Sequence, residues 1–277
     1  MASAVPLRPA RALQHAVLLA ATLVALAPTA FMILTSLKSQ DEYTFNKVGL
    51  PQNPVLDHYR SVLFDSSFFD WMRNSIILAA GAVALSTIVS CLGAYAIARM
   101  RFPGRILLFS ASTALMAVPP VVMIVPLFVL YTQLNLISTY QGAIVIYAGL
   151  ITPFSVYLLT SFFRTLPQEL FDAARIDGAG DFRILWQIVV PLSLAPLVTL
   201  VVVNALFVWN DLLIAIIFLQ DDAKRTLMAG ISVFQGRYND QIPLTMAGMA
   251  FASAPMIVLY VAFQKYYVQG LLAGSVK

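Results

Sequence analysis

Apolar residues run through this chain in blocks that are long and continuous. Six stretches are dominated by aliphatic and aromatic side chains: Leu13 to Leu37, Ile76 to Ile97, Ile106 to Leu130, Gln141 to Phe163, Pro196 to Leu219 and Leu244 to Phe263. A helix of about 20 mainly apolar residues crosses roughly 30 Å of hydrocarbon, so each stretch predicts one spanning helix, which Pro119-Pro120, Pro126 and Pro153 are expected to kink or interrupt. A closed barrel would instead show segments of about ten residues alternating apolar and polar. Runs such as Ile76-Ile77-Leu78-Ala79-Ala80 do not alternate. The pattern predicts an all-α integral membrane protein with about six transmembrane helices.

Composition agrees. Of 277 residues, 60% are hydrophobic and 11% charged, which would leave a soluble domain with more apolar surface than it could bury. Arg8 and Arg11 precede the first run, and Ala25-Leu26-Ala27 inside it offers a cleavage-like pattern. The run nevertheless continues to Leu37, beyond the core of about 7 to 15 residues of a secretory signal, and reads as a retained span. Cys91 is the only cysteine, so an internal disulfide is excluded; it reads as a small buried apolar residue.

Positive charge is held back on the cytoplasmic side of a membrane protein. With the N-terminus inside, the cytoplasmic set is Arg8, Arg11, Arg99, Arg101, Arg105, Arg164, Arg175, Arg183, Lys265 and Lys277, ten residues, against seven outside: Lys38, Lys47, Arg60, Arg73, Lys224, Arg225 and Arg237. Both termini are therefore expected to be cytoplasmic. The expected organisation is a cytoplasmic N-terminus over 1–12, a membrane domain over 13–263 and a cytoplasmic tail over 264–277. The net charge of +4 then reflects topology and contact with anionic membrane lipid, and no nucleic-acid partner is implied.

Two connections are too long to be simple turns. The outer loop from Lys38 to Ser75 carries Pro51, Pro54 and four aromatic residues, Phe64, Phe68, Phe69 and Trp71. It reads either as a surface loop with membrane-anchoring aromatics or as a docking surface for an external partner. The cytoplasmic stretch Arg164 to Val190 reads as two short helices around a glycine break. Pro167 suits a first helical turn, and Glu169 behind it complements the positive end of the dipole. Gly178 and Gly180 allow a turn, and the Asp181 carboxylate is expected to cap the second helix. That helix should end near Pro191. Leu170, Ala173, Ala174 and Asp177 fall at i, i+3, i+4 and i+7 and share one helix face. Its two alanines would let a groove or another backbone approach closely.

Asp172-Ala173-Ala174, three residues, Gly178, nine residues, Ile188, one residue and Val190-Pro191 resembles the EAA signature of permease subunits of ABC importers. The spacing is matched throughout, with Asp172 where Glu is usual and Val190 where Leu is usual. The likeness extends through Ser36-Leu37-Lys38, Asn74-Ser75, Ala94-Tyr95-Ala96 with Arg99, Arg101-Phe102-Pro103-Gly104, Pro126-Leu127-Phe128, Trp209-Asn210-Asp211 and the tail Gly270 to Lys277. It is closest to the carbohydrate-uptake, maltose-type permeases.

The resemblance implies a type I ABC importer permease fold and import of a sugar or sugar-like solute. It implies four kinds of neighbour: a second homologous permease, two ATPase subunits, an extracytoplasmic solute-binding protein and the inner-membrane lipid. The stretch from Pro167 to Gly178 would be the coupling helix in a cleft of the ATPase. There Ala173, Ala174 and Gly178 would give close contact, Asp172 and Asp177 polar rim contacts, and Glu169 and Arg175 further contacts. The tail, with Gly270, Gly274 and Lys277, would reach the ATPases too. ATP and magnesium would bind the partner ATPase, and this chain would bind no cofactor.

Asp211 is the only acidic residue inside a predicted span, beside Trp209 and Asn210, with Asn204 seven residues earlier. An ionisable group in a bilayer faces protein or water, so these four residues are candidates either for a solute path or for a helix interface. The chain has no Gly-rich phosphate loop and no metal-ligand or nucleophile motif, and His15 and His58 stand far apart; it should not hydrolyse ATP itself. The alternative is a self-sufficient secondary transporter or channel, which would be expected to carry coupling charges within its spans.

Overall fold

The computed structural model describes residues 9–64, 66–237 and 241–273. They form helices α1 (Pro9–Ser36), α2 (Gln40–Phe45), α3 (Asp57–Phe64), α4 (Ser66–Arg99), α5 (Arg105–Leu115), α6 (Pro120–Gln133), α7 (Tyr140–Thr165), α8 (Gln168–Ile176), α9 (Asp181–Ile184), α10 (Val190–Leu192), α11 (Leu194–Asn210), α12 (Leu213–Phe218), α13 (Leu227–Arg237) and α14 (Ile242–Ala273). A π-helical turn, Leu185–Val189, joins α9 to α10, and a 3₁₀ turn, Asp222–Lys224, precedes α13.

Among the described residues four stretches are long and apolar enough to cross a membrane: Leu13–Ser36, Ser67–Arg99, Tyr140–Thr165 and Ile242–Lys265. Two helix pairs, Arg105–Leu115 with Pro120–Gln133 and Asp181–Leu192 with Leu194–Asn210, bend by 101° and 81° and bring the number to six if each is one span.

The expected interruption at Pro119-Pro120 is found, and two expected boundaries are corrected. The third apolar stretch is not one helix: Pro119 is extended (ψ 131°) because the ring of Pro120 disfavours a helical residue before it, while Pro120 itself suits the first turn of α6. The fifth stretch does not run on to Leu219, since α11 ends at Asn210 and Asp211 is extended (ψ 130°). The outer loop is shorter than expected, because α4 begins at Ser66 and absorbs Phe68, Phe69 and Trp71. Phe68 and Trp71 are buried, so they pack in the protein and do not float at an interface. By contrast Pro126 and Pro153 lie inside uninterrupted helices.

The chain divides into two compact units, Met1–Asp65 with Ile231–Ser253 and Ser66–Gly230 with Ala254–Lys277. In the first, the chain leaving α1 folds back on its end. Val55 N–H donates to the Leu37 carbonyl at 2.8 Å, the Ser36 hydroxyl lies 2.6 Å from that of Tyr59, and the Tyr59 ring meets Phe251 edge-on at 5.4 Å.

In the second unit α4, α7 and α11 pack together and form two apolar clusters. One holds Leu78, Ala82, Tyr147, Ile151, Ala205 and Phe218. The other holds Ala94, Tyr95, Leu159, Phe163, Phe171 and Ile184. The second joins the span ends to the short helices that follow α7, and so positions the candidate site.

Candidate docking segment and intramembrane polar groups

Helix α7 stops at Thr165 because Leu166 precedes Pro167 and is held extended (ψ 137°). The carbonyls left open at that end are taken by Arg99 from the last turn of α4. Its guanidinium donates to the Leu166 carbonyl at 2.5 Å and to that of Phe163. It also reaches Gln168 Oε1 at 3.2 Å and lies 4.1 Å from the centre of the Phe171 ring. A cation over the carbonyl end of a helix meets the negative end of its dipole, and a planar fork of donors can serve several acceptors at once.

Helix α8 ends in a Schellman turn. Gly178 takes the left-handed conformation (φ 76°), its N–H donates to the Arg175 carbonyl at 3.0 Å, and Ala179 N–H donates to the Ala174 carbonyl at 2.9 Å. The glycine break expected from the sequence is thus a helix stop whose geometry favours a residue without a Cβ. The expected cap at Asp181 is not made: Gly180 is the N-cap, and Asp181 is the first residue of α9. Its carboxylate is engaged elsewhere, accepting from Tyr95 Oη at 2.9 Å and pairing with Arg175 at 3.5 Å.

Of the seven residues anticipated for docking, six lie on the exposed side of the segment: Glu169, Asp172, Ala173, Arg175, Asp177 and Gly178. Ala174 does not. It is buried with Phe171 against Phe163, Ile184 and Leu185, because the inward stripe of α8 is Phe171 and Ala174, spaced i, i+3. Asp172 accepts from Gln168 Nε2 at 3.0 Å. The exposed face also carries Leu170, from the stripe that the spacing picked out, at 39% exposure, and two apolar groups that the spacing did not single out, Ile176 at 87% and Phe182 at 70%. Their signal in the sequence is that they fall off the buried stripe while staying apolar.

The four polar or aromatic residues of the fifth stretch go to different places. Asn204 is buried and donates to Ser155 Oγ at 2.8 Å. Ser86 Oγ lies 3.4 Å from Ser155 Oγ and 3.0 Å from Thr152 Oγ1, so α4, α7 and α11 are stitched by short polar side chains. Asn204 also borders a cavity of about 600 Å³ with Tyr131, Pro153, Phe154 and Phe207. Trp209 borders another, of about 650 Å³, with Thr87, Cys91, Trp186 and Pro255. Asn210 is exposed and donates to the Leu206 carbonyl.

Asp211 stands at the break itself and not within a helix. Oδ2 accepts from Tyr147 Oη at 2.8 Å and from the Ile214 and Ala215 N–H groups at 3.0 and 3.2 Å, so the carboxylate caps α12. Gly270 lies in α14, whereas Gly274 and Lys277 lie outside the described residues.

The family model described as binding-protein-dependent transport system inner membrane component matches residues 89–272. The chain is 33% identical to the melibiose/raffinose/stachyose import permease of Bacillus subtilis, over 90% of this chain and 91% of that protein. It is 32% identical to the trehalose/maltose transport system permease of Thermococcus litoralis, over 92% of each. A crystal structure of a bacterial ABC transporter involved in the import of the acidic polysaccharide alginate matches with a TM-score of 0.80 at 25% identity, over 96% of this chain and 100% of that one. The architecture is the type I importer permease fold. The chain belongs to the family of binding-protein-dependent transport system inner membrane components.

Proposed function

We propose that this chain is the membrane-spanning permease subunit of an ABC importer for a sugar or sugar-like solute, driven by ATP hydrolysis in a separate ATPase subunit. The observation that carries the reading is the segment around α8. It is locked to α4 and α7 by Arg99, Tyr95 and Phe171, yet presents Leu170, Ala173 and Ile176 outward among Glu169, Asp172, Arg175 and Asp177. An apolar strip with a charged rim on a rigid mount is what a docking helix requires. Closure of two ATPase subunits against two such helices would move the spans as rigid bodies.

The partners on this reading are a second homologous permease, two ATPase subunits with ATP and magnesium, and an extracytoplasmic solute-binding protein. Both termini would be cytoplasmic in a bacterial or archaeal inner membrane, with the membrane domain over 13–263 and the tail from 264 continuing toward the ATPases. The solute class follows from the sugar-import relatives.

The test is affinity purification of the tagged chain in mild detergent, with identification of the subunits that accompany it, for the native chain and for Ala173→Trp. An ATPase and a second permease should accompany the native chain, and the ATPase should be lost from the variant while membrane insertion is kept. Recovery of the chain alone, still active in solute flux, would overturn the proposal in favour of a secondary transporter.

A further inference from the structure

The loop that follows α1 exposes large apolar side chains where a water-facing loop would not. Phe45, Val48 and Leu50 are 91%, 82% and 73% exposed within six residues. They sit on a small, well-built turn: Asn46 Nδ2 donates to the Leu50 carbonyl at 2.9 Å, and Gly49 N–H donates to Asn46 Oδ1 at 2.9 Å. Glu42 at the base of the turn accepts from Gln52 N–H at 2.6 Å. This is an ordered tip with an apolar surface.

Two contacts hold the tip against the end of α1. Lys38 is 1% exposed, and its ammonium donates to the Asn46 and Lys47 carbonyls at 2.7 and 3.3 Å. Lifting the tip would strip a buried charge of these partners, which is costly. Farther along, the bond from Val55 N–H to the Leu37 carbonyl returns the loop to the same place. The tip therefore stays within one lysine side chain's reach of the last turn of α1.

That last turn lies at the edge of the bilayer. The apolar part of α1 is 24 residues, Leu13–Ser36, and none of its most apolar window is buried in the protein. At about 1.5 Å per residue it is roughly 36 Å long, against roughly 30 Å of hydrocarbon and 40–45 Å with headgroups. Arg11 marks the other boundary, so Ser36 and Lys38 fall in the headgroup layer.

We propose that Phe45, Val48 and Leu50 insert into the lipid headgroup and acyl boundary, so that the loop over 38–55 is a membrane-interfacial anchor, with Lys47 placed to meet a lipid phosphate. The exposed apolar side chains are tethered beside the end of a helix whose apolar window is itself unburied, and an exposed cation among them is the usual make-up of an interfacial segment. A soluble partner docking here would first have to displace lipid. The inference rests on the chain spanning a membrane and not on the solute it carries.

The test places a nitroxide spin label at Val48→Cys, and separately at Phe45→Cys, in the full chain with its accompanying subunits in phosphatidylethanolamine/phosphatidylglycerol nanodiscs. The native Cys91, 2% exposed, is shielded from the label. The label should collide more with oxygen, which concentrates in lipid, than with a water-soluble nickel chelate. Adding Lys38→Met should shift it toward the chelate. Preference for the chelate in the native background would overturn the proposal. So would shielding from both reagents, or protection that appears only when a solute-binding protein is added, since either result would reassign the tip to a protein interface.

Discussion

Tyr95 and Arg99, one helical turn apart at the end of α4, hold opposite ends of the same short segment. Tyr95 Oη donates to Asp181 Oδ1 at 2.9 Å on the far side of the Gly178 turn, while Arg99 reaches the Leu166 carbonyl at 2.5 Å and Gln168 at 3.2 Å on the near side. Helix α8 is thus clamped at entry and exit by one span. A push on its outer face is delivered to α4, which also borders the apolar cavity at Ala79, Thr87 and Cys91.

From this clamp we expect Arg99→Lys to impair transport although Arg99 is only half-buried and the charge is kept. Lysine keeps the charge but cannot serve the Phe163 and Leu166 carbonyls and Gln168 together. Hydrogen bonds involving a charged group contribute roughly 1.5–3 kcal/mol each, so the correctly docked segment should lose about tenfold or more in population. Tyr95→Phe removes one bond and should act in the same direction, less strongly. Both are checked by the ratio of ATP hydrolysed to solute imported in proteoliposomes. A rise in that ratio with normal subunit assembly marks a loosened mount, whereas an unchanged ratio with less assembled complex would mark a purely structural role.

Gly178→Ala tests the helix stop. With φ at 76° and nothing near enough to meet an added Cβ, the cost is conformational, about 1–2 kcal/mol. Thermal unfolding followed by size exclusion in detergent should show a modest loss. Gly180→Ala, at a φ of −73°, should show almost none.

These residues also show what was legible in advance. The spans announced themselves through apolar runs, and the break at Pro119-Pro120 followed from ring chemistry alone. The EAA-like spacing falls on α8 and the turn after it, and the turn at Gly178 was legible as a glycine break. The orientation of α8 was harder, because Leu170, Ala173 and Ala174 satisfy helical spacing as well as Phe171 and Ala174 do; only the packing against Phe163 and Ile184 decides which stripe faces inward. The start of α4 was hidden because Phe68 and Trp71 look interfacial until their burial is known.

Trp71 supplies a sharper test. A Cβ built on Gly230 would lie 2.2 Å from its indole ring, so the start of α13 can approach α4 only without a side chain there. Overpacking of this kind costs about 1–3 kcal/mol. Gly230→Ala should therefore lower the midpoint of thermal unfolding, and Trp71→Leu, which opens the space, should recover part of that loss when combined with it. Equal stability of Gly230→Ala and the native chain would show that the ring moves aside freely.

Asp211 reads in the sequence as a charge stranded in a span, and its partners explain why the span ends there instead. Its carboxylate receives the Tyr147 hydroxyl and two amides of α12, and Tyr147 is fully buried. Asp211→Ala removes a cap worth about 0.5–2 kcal/mol and leaves a buried hydroxyl unpaired at about 1–3 kcal/mol. Asp211→Asn keeps an oxygen acceptor and should cost less. Pairing Asp211→Ala with Tyr147→Phe distinguishes a structural role from contact with the solute. If the carboxylate is structural, the double variant should regain stability over Asp211→Ala alone, because no unpaired hydroxyl remains. If Asp211 instead binds solute, Asp211→Asn should raise the solute concentration for half-maximal uptake while leaving thermal stability unchanged.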